Sequence, residues 1–150
     1  MKSTSLLITA GILLLFTAIM GCKKGSPTKT SVKISLVGKW RHTKTTYKNY
    51  HNNTLISNES TLLTDPNEYA EFKSDATGHA QKKAGSSYEN NDFTYSVSNN
   101  ILSMTDENNN TEQDSIATLS TTELILHSDK SYPNVGITYR DVIDIYFIKE

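Results

Sequence analysis

Short stretches in which apolar and polar residues alternate fill the chain beyond its N-terminal segment, and they constrain the fold more than any other feature. Phe93, Tyr95 and Val97, for example, fall on one face of an extended chain, and Thr94 and Ser96 fall on the other. The same region lacks sustained helical periodicity, and turn-forming residues such as Asn, Asp, Gly and Ser separate the stretches. The pattern predicts antiparallel strands that each bury one face.

Eight of these stretches are predicted to be strands. About eight antiparallel strands joined by short turns favour an all-β fold, either an up-and-down barrel or a tight sandwich. A further strand or a short helix is expected near Thr54 to Thr64. A tight turn is predicted at Ser98 to Asn100, because Asn tolerates a positive φ angle. The predicted strands lie near Gly38 to Tyr47, Glu68 to Lys73, Gly78 to Lys83, Asp92 to Val97, Ile101 to Thr105, Asp114 to Leu119, Glu123 to His127 and Thr138 to Ile148.

The N-terminal segment has the layout of a secretory signal peptide. A basic residue, Lys2, precedes an apolar run from Leu6 to Met20, which is shorter than the roughly 20 residues that a bilayer-spanning helix needs. The run ends in Ile19 to Cys22, which resembles the bacterial lipobox. That resemblance implies that residues 1–21 are removed and that Cys22 is acylated as the first residue of the mature chain. The alternative is an ordinary secreted protein with a chance cysteine.

Cysteine and charge usage exclude several classes of protein. Cys22 is the only cysteine, so neither an intrachain disulfide nor a zinc knuckle is expected. The chain carries 15 basic and 16 acidic residues, and loss of Lys2 with the leader leaves a net charge of about −2. No basic stripe is present, so nucleic acid is not an expected partner.

Three regions are predicted from this pattern: the leader, residues 22–35 and residues 36–150. Residues 22–35 hold the lipidated cysteine and a flexible tether rich in Lys, Ser, Thr and Gly. The expected location is therefore the bacterial cell envelope, with the lipid in a membrane. In some lipoproteins of this kind, acidic residues after the cysteine direct display on the cell surface. None directly follow Cys22, which favours a position on the periplasmic side of the outer membrane.

Several short motifs, in their order along the chain, resemble the lipocalin-like lipoproteins of Bacteroidetes-type bacteria, and the resemblance runs from Leu36 to the end. It implies an eight-stranded barrel in which Gly38 lets the chain approach the barrel floor closely and Trp40 plugs that floor. It also implies a basic residue over the tryptophan, for which Lys149 is the candidate as a cation–π partner. The motifs are Leu36 to Trp40, Tyr69 to Phe72 with the turn Asp75 to Gly78, Ile116 to Leu119 with Leu124 to Leu126, and Ile145 to Phe147.

A small barrel of this kind can hold one apolar or amphipathic ligand. His42 and Lys44 are expected on the same side of the first strand as Trp40, because residues two apart share a face. A bulge or simple exposure would instead place His42 in solvent, and that outcome is favoured. The alternative function is a filled barrel that serves as an accessory subunit of an envelope complex. The expected ligand-lining residues are His42, Phe72, Tyr95, Met104, Leu126 and Ile145.

An enzyme is not predicted, and neither a metal nor a cofactor is expected. The chain lacks a Gly-x-Ser-x-Gly elbow, a phosphate-binding glycine loop and a His-Glu-x-x-His motif. The four histidines fall on separate predicted elements, without the close spacing of a metal site. Glu71 and Asp141 are the candidate pair of catalytic carboxylates, but charges in exposed strands usually form a solvated face. The eight tyrosines suit sugar stacking, yet strands of small barrels are rich in tyrosine for structural reasons.

The sequence Asp114-Ser115-Ile116 resembles the Asp-Ser/Thr-aliphatic sequon of a general O-glycosylation system in the same bacteria. Ser115 and Ile116 point to opposite faces of an extended strand, so Ile116 is expected to face the core and Ser115 the solvent. Asp114 is expected beside Ser115 as the acidic recognition element. The alternative is an ordinary exposed strand serine.

We expect the substitution Cys22→Ala to prevent lipid-dependent membrane association, because the lipobox then lacks its acceptor thiol. Cell fractionation combined with labelling by a palmitate analogue measures both properties. A variant that remains labelled and bound to the membrane would show that the anchor is assigned to the wrong residue.

Overall fold

The computed structural model describes residues 35–150, and these form a closed antiparallel β-barrel of eight strands with one extra strand. All eight predicted strands are present, and the stretch after Thr54 is a strand and not a helix. Among residues 35–150, no helix is long and apolar enough to cross a membrane. The predictions for residues 1–34, including the acylation of Cys22, lie outside the described residues. The strands are β1 (Gly38–His51), β2 (Thr54–Leu62), β3 (Tyr69–Phe72), β4 (Thr77–Ala84), β5 (Ser87–Ser98), β6 (Ile101–Asp106), β7 (Thr111–Leu119), β8 (Glu123–Asn134) and β9 (Ile137–Lys149).

Pairs of asparagines make two of the hairpin turns. Asn99 and Asn100 connect β5 to β6 with φ angles of 50° and 62°. Asn52 and Asn53 connect β1 to β2 with φ angles of 46° and 66°. Two successive residues with positive φ give a two-residue turn whose twist matches that of the flanking strands. The first pair confirms the turn that the sequence predicted.

Strand β1 holds the barrel together because it pairs along both of its edges. One edge pairs with β9 from Trp40 to His51, which closes the barrel. The other edge pairs with β3 at residues 38–41 and with β2 at residues 44–51. Strands β2 and β3 therefore lie end to end along β1, and residues 64–67 loop out between them.

Pairing with β2 extends part of the wall beyond the closed barrel. In this region the strand order is β2-β1-β9-β8, and we call it the upper sheet, formed by residues 44–51, 54–62, 127–134 and 137–144. Strand β4 pairs with β3 only at residues 78–81 and β2 pairs with β1 alone, so the wall is open between them. The inner face of the upper sheet is accessible through this opening.

The barrel floor is packed around Trp40, whose side chain is fully buried. Its indole Nε1 donates a hydrogen bond of 2.6 Å to the carbonyl oxygen of Leu36. The Lys149 ammonium lies 4.9 Å from the centre of the Trp40 ring and donates to the Val37 carbonyl oxygen at 2.9 Å. Gly38 has a φ angle of 134°, and a Cβ atom there would lie 2.7 Å from Cε of Lys149. The flexible end of Lys149 could move away from a larger residue, so it is the positive φ angle that favours glycine at this position.

A bulge at Thr43 changes which side chains of β1 face inward. The pairing with β9 shifts between His42 and Lys44, so Trp40 and His42 face inward and the next inward residue is Thr45. Lys44 lies on the outer face, with its ammonium 3.7 Å from the centre of the Tyr146 ring. The prediction that Lys44 shares the face of Trp40 is therefore wrong, because the bulge inserts one residue between them.

We expect the substitution Trp40→Ala to lower the free energy of unfolding by about 3–5 kcal/mol, as for other truncations of buried aromatic side chains. Chemical denaturation of the purified protein measures this loss. Val37→Ala is the matched control, because Val37 lies close by in the sequence and is 39% exposed. An unchanged denaturation midpoint for Trp40→Ala would contradict the central role of the floor.

Candidate functional site

Five of the six expected ligand-lining residues pack in or against the floor. Phe72 and Leu126 are 1% and 3% exposed, and Tyr95, Met104 and Ile145 pack against the same core. The Tyr95 hydroxyl donates to the Lys73 carbonyl oxygen at 2.7 Å, which fixes the ring across the floor. The lower barrel is thus filled by side chains, and open space begins above them.

A cavity of about 490 Å³ lies above the floor, between strands β4, β5, β6 and β7. Its apolar base is formed by Ala80, Phe93 and Met104, and amides and carboxylates form its rim. A second cavity of about 530 Å³ adjoins it and shares Phe93. The complete lining of the first cavity is Ala80, Asn91, Asp92, Phe93, Met104, Asp106, Asn110 and Glu112.

Gly78 positions the aromatic wall of this cavity. Gly78 pairs directly with Phe93, and the Phe93 ring occupies the space over the glycine. A Cβ atom on Gly78 would lie 2.3 Å from that ring, so a larger residue would displace it. The ring also packs edge-on against Phe72 at 5.6 Å, which joins the cavity base to the floor.

The rim of the cavity is negatively charged. One oxygen of the Asp106 carboxylate accepts backbone hydrogen bonds from Asn108 at 2.9 Å and Asn110 at 2.8 Å. The other oxygen accepts the side-chain amide of Asn110 at 3.0 Å. These bonds lower the pKa of Asp106, so it is ionised at neutral pH. Asp92 and Glu112 add two further carboxylates to the rim, which therefore disfavours anionic ligands.

His42 lies on the inner face of β1, so the favoured expectation that it is exposed to solvent is wrong. Its ring contacts the Phe147 ring at 5.2 Å, and its Nε2 atom forms a hydrogen bond of 2.8 Å with the Thr45 hydroxyl. Burial lowers the pKa of His42 below its ordinary value of 6.5, although the nearby carboxylate of Glu68 acts in the opposite direction. The histidine is therefore neutral at physiological pH.

The stretch Asp114 to Ile116 is arranged differently from the expectation. Ile116 packs against the core, as predicted. Asp114 pairs with the buried Leu102 and is itself only 9% exposed, so it faces the interior and is not beside Ser115 on the surface. Burial raises the pKa of Asp114. Ser115 is half-buried on the outer face, and its hydroxyl donates to the His127 carbonyl oxygen at 3.0 Å.

Sequence reasoning named Met104 but missed most of the cavity lining. Phe93 could have been found from the alternation in β5, which places it on the same face as Tyr95. The sequence did not single out the rim residues Asn91 and Asn110 as ligand contacts, because asparagine is also common in turns that bind nothing. Within residues 35–150, no group of three or more His, Cys, Asp or Glu side chains is placed to hold a metal ion. The carboxylates Glu71 and Asp141 lie on opposite faces of the barrel wall.

A family model and one solved structure support this architecture. A family model described as a lipocalin-like domain matches residues 36–126. A lipocalin-like protein from Bacteroides uniformis ATCC 8492 superposes with a TM-score of 0.52 at 14% identity, over 77% of this chain and 98% of that one. An uncharacterized protein from Bacteroides eggerthii DSM 20697 gives a TM-score of 0.45 at 13% identity, over 77% and 100%. No curated protein matches the chain.

We expect the stability of the barrel to fall with pH through the titration of His42. Because its folded pKa is depressed, the unfolded chain binds the proton more tightly, so stability is full above about pH 6.5 and declines below it. The variant His42→Gln lacks this titration and should lose less stability between about pH 7.5 and pH 5. Thermal unfolding of both proteins across this range measures the difference. Parallel curves for the two proteins would contradict the assignment.

Proposed function

Because the chain belongs to the lipocalin-like domain family, we propose that it is a lipid-anchored envelope lipoprotein that binds one small amphipathic ligand. The observation that carries the proposal is the cavity of about 490 Å³ above the packed floor. Its volume lies within the range of small-molecule sites, and its lining combines an apolar base with a polar rim. Proteins with this fold are generally non-enzymatic, and the proposed role is binding.

The lining favours an amphipathic ligand over a purely apolar one. The apolar part of the ligand would contact Phe93, Met104 and Ala80, and its polar part would meet the amides of Asn91 and Asn110. These rim amides are exposed, and a ligand that covers them without hydrogen bonding would cost free energy, so its polar part must supply hydrogen bonds there. The rim carboxylates repel an anionic group, so the polar part should be neutral or cationic.

The alternative is a structural or accessory subunit of an envelope complex. The packed floor, in which Trp40, Phe72 and Leu124 are almost fully buried, supports this alternative for the lower half of the barrel. The cavity above the floor is the reason for preferring a ligand-binding role.

The membrane anchor on Cys22 and the location at the outer membrane facing the periplasm are part of the proposal. They rest on the lipobox-like sequence from Ile19 to Cys22. An O-linked glycan on Ser115 remains a prediction. Asp114 faces the interior of the folded barrel. A glycosyltransferase that recognises Asp114 would therefore have to modify Ser115 before β7 joins the sheet.

We expect native mass spectrometry of the protein purified from its own host to reveal a retained amphipathic ligand with a neutral or cationic polar group. The variant Met104→Trp should lose this ligand, because the larger side chain fills the cavity base. Ser103→Trp is the matched control, because it adds the same side chain to the outer face of β6. Absence of any ligand from the wild-type protein would favour the accessory-subunit role.

A further inference from the structure

The inner face of the upper sheet carries tyrosines gathered around one carboxylate. The Tyr47 hydroxyl and the Asn49 side-chain amide both donate to Oδ1 of Asp141 at 2.7 Å. The Tyr132 hydroxyl donates to Oδ2 of Asp141 at 3.1 Å. We call Tyr47, Asn49, Tyr132, Tyr139 and Asp141 the tyrosine cluster, and its residues are different from those that line the two cavities.

Three strands bring the cluster together. Asn49 on β1 pairs with Asp141 on β9, and Tyr132 on β8 pairs with Tyr139 on β9. Tyr47 lies two residues before Asn49 and so shares its face. These positions lie where β1 pairs with β2 and the barrel wall is open. The cluster is therefore accessible from outside the barrel.

We propose that the tyrosine cluster binds a saccharide ring stacked on Tyr132. The rings of Tyr132 and Tyr139 are parallel within 6°, with their centres 5.6 Å apart. The His51 ring packs edge-on against Tyr139 at 4.4 Å, so Tyr139 is held between two rings. Tyr132 ends the stack and is 45% exposed. An exposed aromatic face held in a fixed orientation suits the apolar C–H face of a pyranose ring.

The hydrogen bonds of the cluster indicate what the ligand must supply. A phenol has a single proton, and Tyr47 and Tyr132 both give theirs to Asp141. Their oxygens can therefore only accept further hydrogen bonds, and the side-chain carbonyl of Asn49 is likewise an acceptor. The same three bonds lower the pKa of Asp141 and keep it ionised as the centre of the network. The ligand must bring donors, and sugar hydroxyls are donors.

A cationic amine would also supply donors, but a cation is already present on this face. Lys130 pairs with Asp141 across the β8–β9 ladder, so the two side chains share the inner face. The opposite charges of Lys130 and Asp141 offset each other on this face, so a cationic ligand gains little net attraction there. A neutral sugar needs no such attraction, and its ring or glycosidic oxygens can accept a hydrogen bond from Lys130.

The test uses the full chain, purified in a detergent without a sugar headgroup and applied to an array of neutral oligosaccharides. We expect the wild-type protein to bind a subset of them. Tyr132→Ala should weaken that binding by about tenfold or more, as for other central aromatic contacts. Tyr132→Phe keeps the ring and should retain binding within about fivefold, which separates loss of stacking from loss of fold.

Tyr88→Ala is the matched control. Tyr88 also donates to a carboxylate, Asp65, at 2.8 Å, but it lies on β5, outside the cluster. This variant should bind saccharides as the wild-type protein does, and so should Met104→Trp. Retained saccharide binding in Met104→Trp distinguishes this site from the cavity, whatever mass spectrometry finds there.

Three results would overturn the proposal. The first is that the wild-type protein binds no saccharide on the array. The second is that Tyr132→Ala binds as tightly as the wild-type protein, or that Tyr88→Ala weakens binding equally. The third is that spermidine, as a cationic probe, binds at the cluster in preference to the neutral sugars.

Discussion

Burial of the Trp40 side chain is the interaction on which the rest of the structure depends. Trp40 lies where β1 pairs with both β3 and β9, so its packing holds the two edges that close the barrel. Its indole nitrogen is satisfied by the carbonyl of Leu36, and its ring is covered by Lys149 from the end of the last strand. One side chain therefore links the first and last strands, and no buried side-chain polar atom within residues 35–150 lacks a hydrogen-bond partner.

Two irregularities of the strands separate this floor from the more open part of the molecule. The bulge at Thr43 rotates the rest of β1, which places Thr45, Tyr47 and Asn49 on the inner face. Between β2 and β3 the chain loops out of the sheet, and the closed wall ends there. The inner face of the upper sheet is therefore accessible. The apolar side chains of the floor and the polar side chains of the upper sheet thus lie on the same inner surface, at different heights.

Carboxylates with several hydrogen-bond donors recur at the accessible places on this barrel. Asp106 is held by Asn108 and Asn110 at the cavity rim, and Asp141 is held by Tyr47 and its neighbours. In both cases the bonds stabilise the ionised form and fix the position of the charge. Such groups are prepared to orient a ligand without first having to be ordered themselves, which reduces the entropic cost of binding.

Local sequence patterns predicted eight of the nine strands, the Asn99-Asn100 turn and the place of the floor motif. These features are local, because the period-two alternation and the tolerance of asparagine for positive φ need no distant partner. The alternation that places Ile116 against the core also implies that Asp114 faces inward. The outward position of Lys44 and the place of Asp141 in a tyrosine cluster, in contrast, follow from contacts between strands. Tyr47 and Asp141 are 94 residues apart in the chain. Their contact depends on the bulge and on the register between β1 and β9, and that register is set by packing between strands, which alternation within one strand does not specify.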